Sequence, residues 1–273
     1  MRINELAEGP DDHNLLVFSG WYSDSDDVDE RDHLFGDSSI RQPNFHTLWF
    51  EAVQKFLRPD LTLITDSNSP AKSPLADDGR ITWISLPYNP GHPTSTNHFF
   101  AGCTVAMING LSWAVANRYK YAIYVEQDAL IFGDKLLETA ISDCKNGIAL
   151  GSGTGTPQAI QQSLMVFELR SIPRFLRRLL AIPFPDSYFS TEDKFAIAAS
   201  RFPIFILRLV RNQRILHLLA RAFSQRPRFG LLSFGYGRHR PIDFSSDCFY
   251  FQHGTASELE HFVNYFAHHD AER

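Results

Sequence analysis

At 273 residues and a net charge of −5, the chain is long enough to bury a sizeable core and too mildly acidic for a general nucleic-acid binder. Its 44% hydrophobic and 21% charged residues are those of an ordinary globular protein, and 23 phenylalanines favour aromatic packing over disorder. Three cysteines, Cys103, Cys144 and Cys248, without any CxxC spacing, argue against a disulfide scaffold or a zinc ribbon.

Leu15-Leu16-Val17-Phe18, stopped by Ser19-Gly20, reads as a buried first strand. His46 to Leu57 has helical spacing at Leu48, Val53 and Phe56 and ends before Pro59. Leu61 to Thr65 is a second strand closed by the turn residues Asp66-Ser67-Asn68-Ser69-Pro70, and Ile81 to Leu86 a third, closed by Pro87. Ala101 to Asn117 reads as a long helix, and Tyr121 to Val125 as an apolar strand running into Glu126-Gln127-Asp128. Gly147 to Leu150 is a further strand before Gly151-Ser152-Gly153-Thr154-Gly155, which fails the dinucleotide-binding glycine spacing and reads as a loop near an acceptor pocket. The fold class is α/β, with a mostly parallel sheet covered by helices on both faces.

Open sheets of this kind bind ligands beyond the carboxyl ends of their strands. Ser19, Trp21 and Asp66 are therefore expected to line a base and ribose pocket along the same edge as the acidic triplet. Carboxylates at Glu126 and Asp128, spaced i and i+2, face one concavity if the chain turns there. Hard cations such as Mg²⁺ and Mn²⁺ prefer such oxygens and share them with substrate phosphates. A cation so held screens a diphosphate as it leaves.

The segment Asn97 to Asp128 resembles the corresponding part of GT-A glycosyltransferases, especially family-2-like ones. There a helix bearing Gly and Asn leads into a strand ending in Asp-x-Asp. Gly102, Asn109 and Gly110 occupy comparable places in the helix, so the likeness puts Asn109 among the donor-binding residues. Asp128 matches the last Asp, whereas Glu126 departs from the first. The resemblance implies a Rossmann-like GT-A domain over 1–273 and a nucleotide-sugar donor linked to UDP or GDP. It also implies Mn²⁺ or Mg²⁺ on Asp128, with Glu126 reaching ribose or the metal through water.

Two later motifs fit the same pattern. Ser190-Thr191-Glu192-Asp193 resembles the Glu-Asp pair opening a helix in inverting members, where the Asp is the base for the acceptor hydroxyl. An N-cap with acids in the first turn is sound helix chemistry in its own right. Glu192 and Asp193 are thus the catalytic candidates. Phe249 to Gln252 is strand-like, and His253 after it matches the C-terminal His that supplies a further metal ligand. A sugar nucleotidyltransferase and a non-catalytic sugar-binding or interaction domain are the rival readings, and a retaining enzyme would not need Asp193 as base.

Phe195 to Ile242 contains no Asp or Glu but nine arginines. Together with Arg170 to Leu180, it reads as basic amphipathic helices, with an insertion at about 196–228. Two roles are open to it: packing on the domain, or contact with an anionic membrane or a lipid-linked acceptor. With no basic-then-apolar leader and no span of about 20 apolar residues, the expected location is cytoplasmic, with the inner membrane face as a peripheral station.

Overall fold

Leu15, Leu16, Val17 and Phe18 are all apolar, so a strand containing them needs cover on both sides. A computed structural model describes residues 14–23, 35–210, 212–224 and 228–271. Most of the acidic stretch from Asp24 to Asp37, and Arg211 and Arg226 of the basic stretch, lie outside the described residues.

The first strand, β1 (Leu15–Trp21), pairs in parallel with β2 (Leu61–Asp66) on one side and β4 (Tyr121–Val125) on the other. β3 (Ile81–Ser85) extends the parallel run beyond β2. On the far side of β4, β7 (Ile160–Glu168) runs antiparallel, followed by β6 (Ile148–Ser152) and the short β8 (Gly230–Leu231). The sheet order is β3-β2-β1-β4-β7-β6-β8, and only β7 opposes the common direction. A second, two-stranded sheet joins β5 (Ala129–Phe132) to β9 (Phe249–Gln252).

Strand alternation divides the core in two. Leu15, Val17 and Trp21 face α1 (Phe45–Phe56), α3 (Leu136–Ser142), α7 (Ala256–Ala271) and the β5–β9 ribbon. Leu16 and Phe18 face α2 (Gly102–Asn117), α4 (Ile172–Leu180), α5 (Thr191–Ala199) and α6 (Gln213–Ser224). Gly110 lets α2 lie close: a Cβ there would come within 2.0 Å of the Phe18 ring. The mid-helix glycine costs about 1 kcal/mol of backbone entropy, and that contact is what requires it.

β1 runs three residues past its expected end. Ser19, Gly20 and Trp21 pair with Ile64, Thr65 and Asp66 as strand residues, not as a loop beyond the strand.

The expected 196–228 segment is woven into the second core: Phe202, Leu207, Leu216 and Ala220 are buried there. The arginines of α4 have structural duties. Arg178 donates to the carbonyls of Ile197, Ala198 and Phe202, and Arg174 donates to that of Ser200, satisfying the C-terminal end of α5. Among the described residues, no helix is long and apolar enough to cross a membrane.

Candidate active site

The acidic triplet sits in a tight turn. The Ala129 N–H donates to the Glu126 carbonyl at 3.0 Å, closing a four-residue turn directly after β4. Glu126 is also anchored through its backbone, its N–H to Ser163 O (3.0 Å) and its carbonyl accepting from the Trp49 indole (3.1 Å). Gln127 points elsewhere: its side-chain amide exchanges two hydrogen bonds with the Tyr22 backbone, at 2.8 and 2.7 Å, and so fixes the exit of β1.

Glu126 and Asp128 converge on one amide. Gln252 Nε2, at the end of β9, donates to Glu126 Oε2 at 2.7 Å and to Asp128 Oδ1 at 2.9 Å. Ser163 holds the other end of that amide, donating to Gln252 Oε1 at 2.7 Å. Gln162 Nε2 donates to Glu126 Oε1 at 2.7 Å, and His253 Nε2 lies 3.2 Å from Asp128 Oδ2. Burial, and then the Asp128 charge, push the Glu126 carboxyl up to about 8. Burial also works against the Asp128 anion, yet its contacts with His253 and Gln252 hold it below the usual carboxylate range.

His253 adopts a left-handed backbone (φ 57°), an uncommon conformation for a residue with a side chain. The Phe35 ring stacks on its imidazole at 5.6 Å.

A second acidic group enters from α5. Ser190 caps this helix, its hydroxyl accepting from the Asp193 N–H at 3.2 Å. Thr191 donates to Gln162 Oε1 at 3.0 Å, which ties the start of α5 to the amide that holds Glu126. Glu192 lies 3.6 Å from an Arg238 terminal nitrogen. Asp193 Oδ2 meets His217 Nδ1, on α6, at 2.5 Å. Burial raises the Asp193 carboxyl despite the opposing pull of His217. The Ala159 backbone also bonds Asp193, so the loop after Gly151 borders this carboxylate.

Beneath α5 lies a buried ion pair, Lys194 Nζ to Asp186 Oδ1 at 2.5 Å. The other Asp186 oxygen accepts from the Ala101 N–H at 2.6 Å and so serves the start of α2, which has no capping side chain of its own.

The structure thus brings together Glu126, Asp128, Glu192 and His253, with Asp193 next to Glu192 in the first turn of α5. Four other expected residues do not join them. Trp21 is in the core, stacked on His46 at 4.2 Å, because its strand parity is that of Leu15 and Val17. Ser19 is buried within the same strand. Asn109 spends its amide on Thr65 Oγ1 at 3.5 Å. Asp66, at the end of β2, accepts from the Ser69 N–H at 3.1 Å and shapes the following turn.

Sequence reasoning missed Gln162, Gln252, His217 and Arg238. Arg238 donates its backbone N–H to Gln161 Oε1 at 2.6 Å, while its buried Nε–H has no acceptor among the described residues. Such an orphaned donor on a cation is an open position for an anion. Among the described residues, no set of three or more His, Cys, Asp or Glu is assembled as a metal cage. A concavity of about 640 Å³ lined by Arg240, Ile242, Phe244, Glu258 and His261 adjoins the cluster through Arg240, which donates to the carbonyls of Gln252 and His253.

No family model matches the chain, and no curated protein sequence matches it. Solved structures that resemble it include a mannosyltransferase, PcManGT from Pyrobaculum calidifontis, in complex with GDP-Man and Mn²⁺; identity is 14% over 78% of this chain and 64% of that one, with a TM-score of 0.40. S. aureus TarS 1-349 in complex with UDP-GlcNAc follows at 14% identity, 67% and 52% coverage and a TM-score of 0.39. A mannose-1-phosphate geranyltransferase from Thermus thermophilus has 12% identity, 67% and 66% coverage and a TM-score of 0.35. The chain spans about half to two thirds of the length of these proteins.

Proposed function

We propose that this protein is a metal-dependent glycosyltransferase, a single GT-A-like domain that moves a sugar from a UDP- or GDP-linked donor to a hydroxyl acceptor in glycan or surface polysaccharide synthesis. The observation that carries the reading is the crowding of two half-buried carboxylates, Glu126 and Asp128, beside His253 at the ends of β4 and β9, with the unmet Arg238 donor. Like charges this close are unfavourable alone, and the Asp128 charge adds to burial in raising the Glu126 carboxyl.

This donor set fits Mn²⁺ or Mg²⁺. Such cations take one or two carboxylates and complete their shell with substrate phosphates, so no all-protein cage is needed. Asp128 and His253 would hold the ion, with Glu126 behind them, and the bound ion would supply charge neutralisation of the leaving diphosphate.

The chain's own groups account for the rest. Arg238 would offer its free N–H to the diphosphate. Asp193 would take the proton of the acceptor hydroxyl while that oxygen bonds to the anomeric carbon. The bond from that carbon to the diphosphate oxygen breaks, and the nucleoside diphosphate leaves with the electron pair. The product configuration is inverted. The raised Asp193 carboxyl suits a base better than an ordinary surface Asp would. Glu192, bound to Thr191 and near Arg238, would position this corner. The acceptor would be a glycan or lipid-linked hydroxyl, and nucleic acid is not expected as a partner.

The test is thermal stability with Mn²⁺ and UDP or GDP together, against each alone. Stabilisation greater than the sum of the two, lost in Asp128→Ala, is expected, together with slow metal-dependent hydrolysis of one nucleotide-sugar. No stabilisation with any nucleotide would sink the assignment.

A further inference from the structure

The basic segment carries two features the reaction does not use. Phe205, Leu209 and Leu218 are 69%, 78% and 66% exposed, which is unusual for side chains of this size in one short stretch. Among them stand the exposed Arg201, Arg208 and Arg214. α6 divides cleanly: Leu216 and Ala220 turn into the core, while Ile215 and Leu218 turn outward. The 3-10 turn Ile204–Leu209 repeats the pattern, with Leu207 inside and Phe205 and Leu209 outside.

Arg201 also lies on the rim of a concavity of about 380 Å³ whose other cations are Lys145, Arg170, Arg174 and Arg228. Arg170 is engaged by Glu168 at 2.5 Å, and Arg174 by the Ser200 carbonyl. Among the described residues, no acidic side chain lines the hollow. Its volume and charge suit a phosphate-bearing head group, since guanidinium forks match phosphate oxygens two at a time.

We propose that this face, from Arg201 to Leu218, docks on an anionic lipid bilayer. Phe205, Leu209 and Leu218 enter the acyl boundary, and the arginines take the lipid phosphates. The charge pattern selects this occupant. A chain of net charge −5 gathers nine arginines and no acid between Phe195 and Ile242. An apolar centre with a purely cationic border is the chemistry of an interfacial helix, whereas protein interfaces of ordinary composition mix both signs.

Docking has a consequence for the site just described, and here the inference rests on the glycosyltransferase reading. His217 is next to the outward Leu218 and touches Asp193. A bilayer on this face therefore brings the head group of a lipid-linked acceptor toward the base.

The experiment is co-sedimentation of the full chain with vesicles of phosphatidylcholine alone and with phosphatidylglycerol added, at low and high salt. Binding is expected only with the anionic lipid, and it should weaken as salt screens the contact. Reversal of Arg201, Arg208 and Arg214 to Glu should lower binding by about a hundredfold or more. Phe205→Ser with Leu209→Ser should lower it by about tenfold or more. Unchanged melting with Mn²⁺ plus nucleotide certifies that the variants are folded. If a triple variant fails that check, Phe205→Ser alone, at a largely solvated position, serves in its place.

Equal binding to both vesicle types, no binding to either, or loss of self-association instead of vesicle binding in these variants would overturn the proposal. Vesicle binding without any donor hydrolysis would refute the enzymatic reading and leave the docking surface standing. Hydrolysis without vesicle binding would do the reverse.

Discussion

Two groups of carboxylates, linked through Gln162 and Thr191, make up this site, and they are built to opposite ends. In the β4–β9 cluster, Glu126 and Asp128 share one Gln252 amide, and burial, with the Asp128 charge added to it, pushes Glu126 up to about 8 while Asp128 stays low. In the α5–α6 cluster, Asp193 bonds the His217 imidazole, with Ser190 and the Ala159 backbone beside it, and is raised by burial. Crowded anions are relieved by a cation, whereas a solitary desolvated anion is relieved by a proton. Each has a histidine, but in different roles. At Asp128, the His253 and Gln252 contacts outweigh burial, while at Asp193 burial outweighs the pull of His217.

The largest expected effect separates the clusters outright. Asp193→Asn should lower sugar transfer by about a hundred- to ten-thousandfold, yet keep the combined stabilisation by Mn²⁺ and nucleotide. Asp128→Ala should lose both. If Asp193→Asn transfers sugar at the parental rate, the α5–α6 cluster is no base and the contrast collapses.

A smaller effect, on the order of tenfold, is expected of His217→Ala, and its signature is in pH. His217 is the strongest of the groups that lower the Asp193 carboxyl, so its removal leaves burial less opposed and raises that group further. The acid limb of kcat/KM should therefore move to higher pH. A uniform loss of rate with an unmoved limb would leave His217 a packing residue only.

The smallest is a stability effect without metal. Folded Glu126 keeps its proton up to about 8, while an unfolded glutamate releases it near about 4.3. The folded state binds more protons across that window, so this residue's contribution to stability falls as pH rises through it. In chelator, Glu126→Gln should be more stable than the parent at pH 8, with the difference shrinking as pH falls toward 4. Equal unfolding midpoints in urea at both pH values would show that the crowding is already relieved.

The same contrast explains what the sequence disclosed. The start of β1 and the whole of β4 are continuous apolar runs because helices cover both of their faces, and β4 occupies the expected residues Tyr121–Val125. The helix with its cap at Ser190 and the strand Phe249–Gln252 were equally plain. β7 was hidden, because Gln161-Gln162-Ser163 follow its first residue, Ile160. Those polar side chains are buried only because Glu126, Gln252, Thr191 and the backbone of the loop after β6 answer them. Ser19-Gly20-Trp21 misled because a serine and a glycine looked like the end of a strand that continues through them. His217 lies 24 residues from Asp193 on an amphipathic helix, and no local pattern announces such a pairing.

The buried pair under the site has a consequence in heredity. Lys194 and Asp186 are both inaccessible to solvent, and loss of either strands the other charge, at a cost of about 3–5 kcal/mol. Asp186 also serves the first turn of α2, so the penalty reaches the neighbouring helix. Descendants of this chain can exchange the two for a matched apolar pair or keep both, but a lineage holding one alone would cross a fitness valley. The positions should be inherited as a unit, and a divergent relative that has changed only one should carry a nearby compensation.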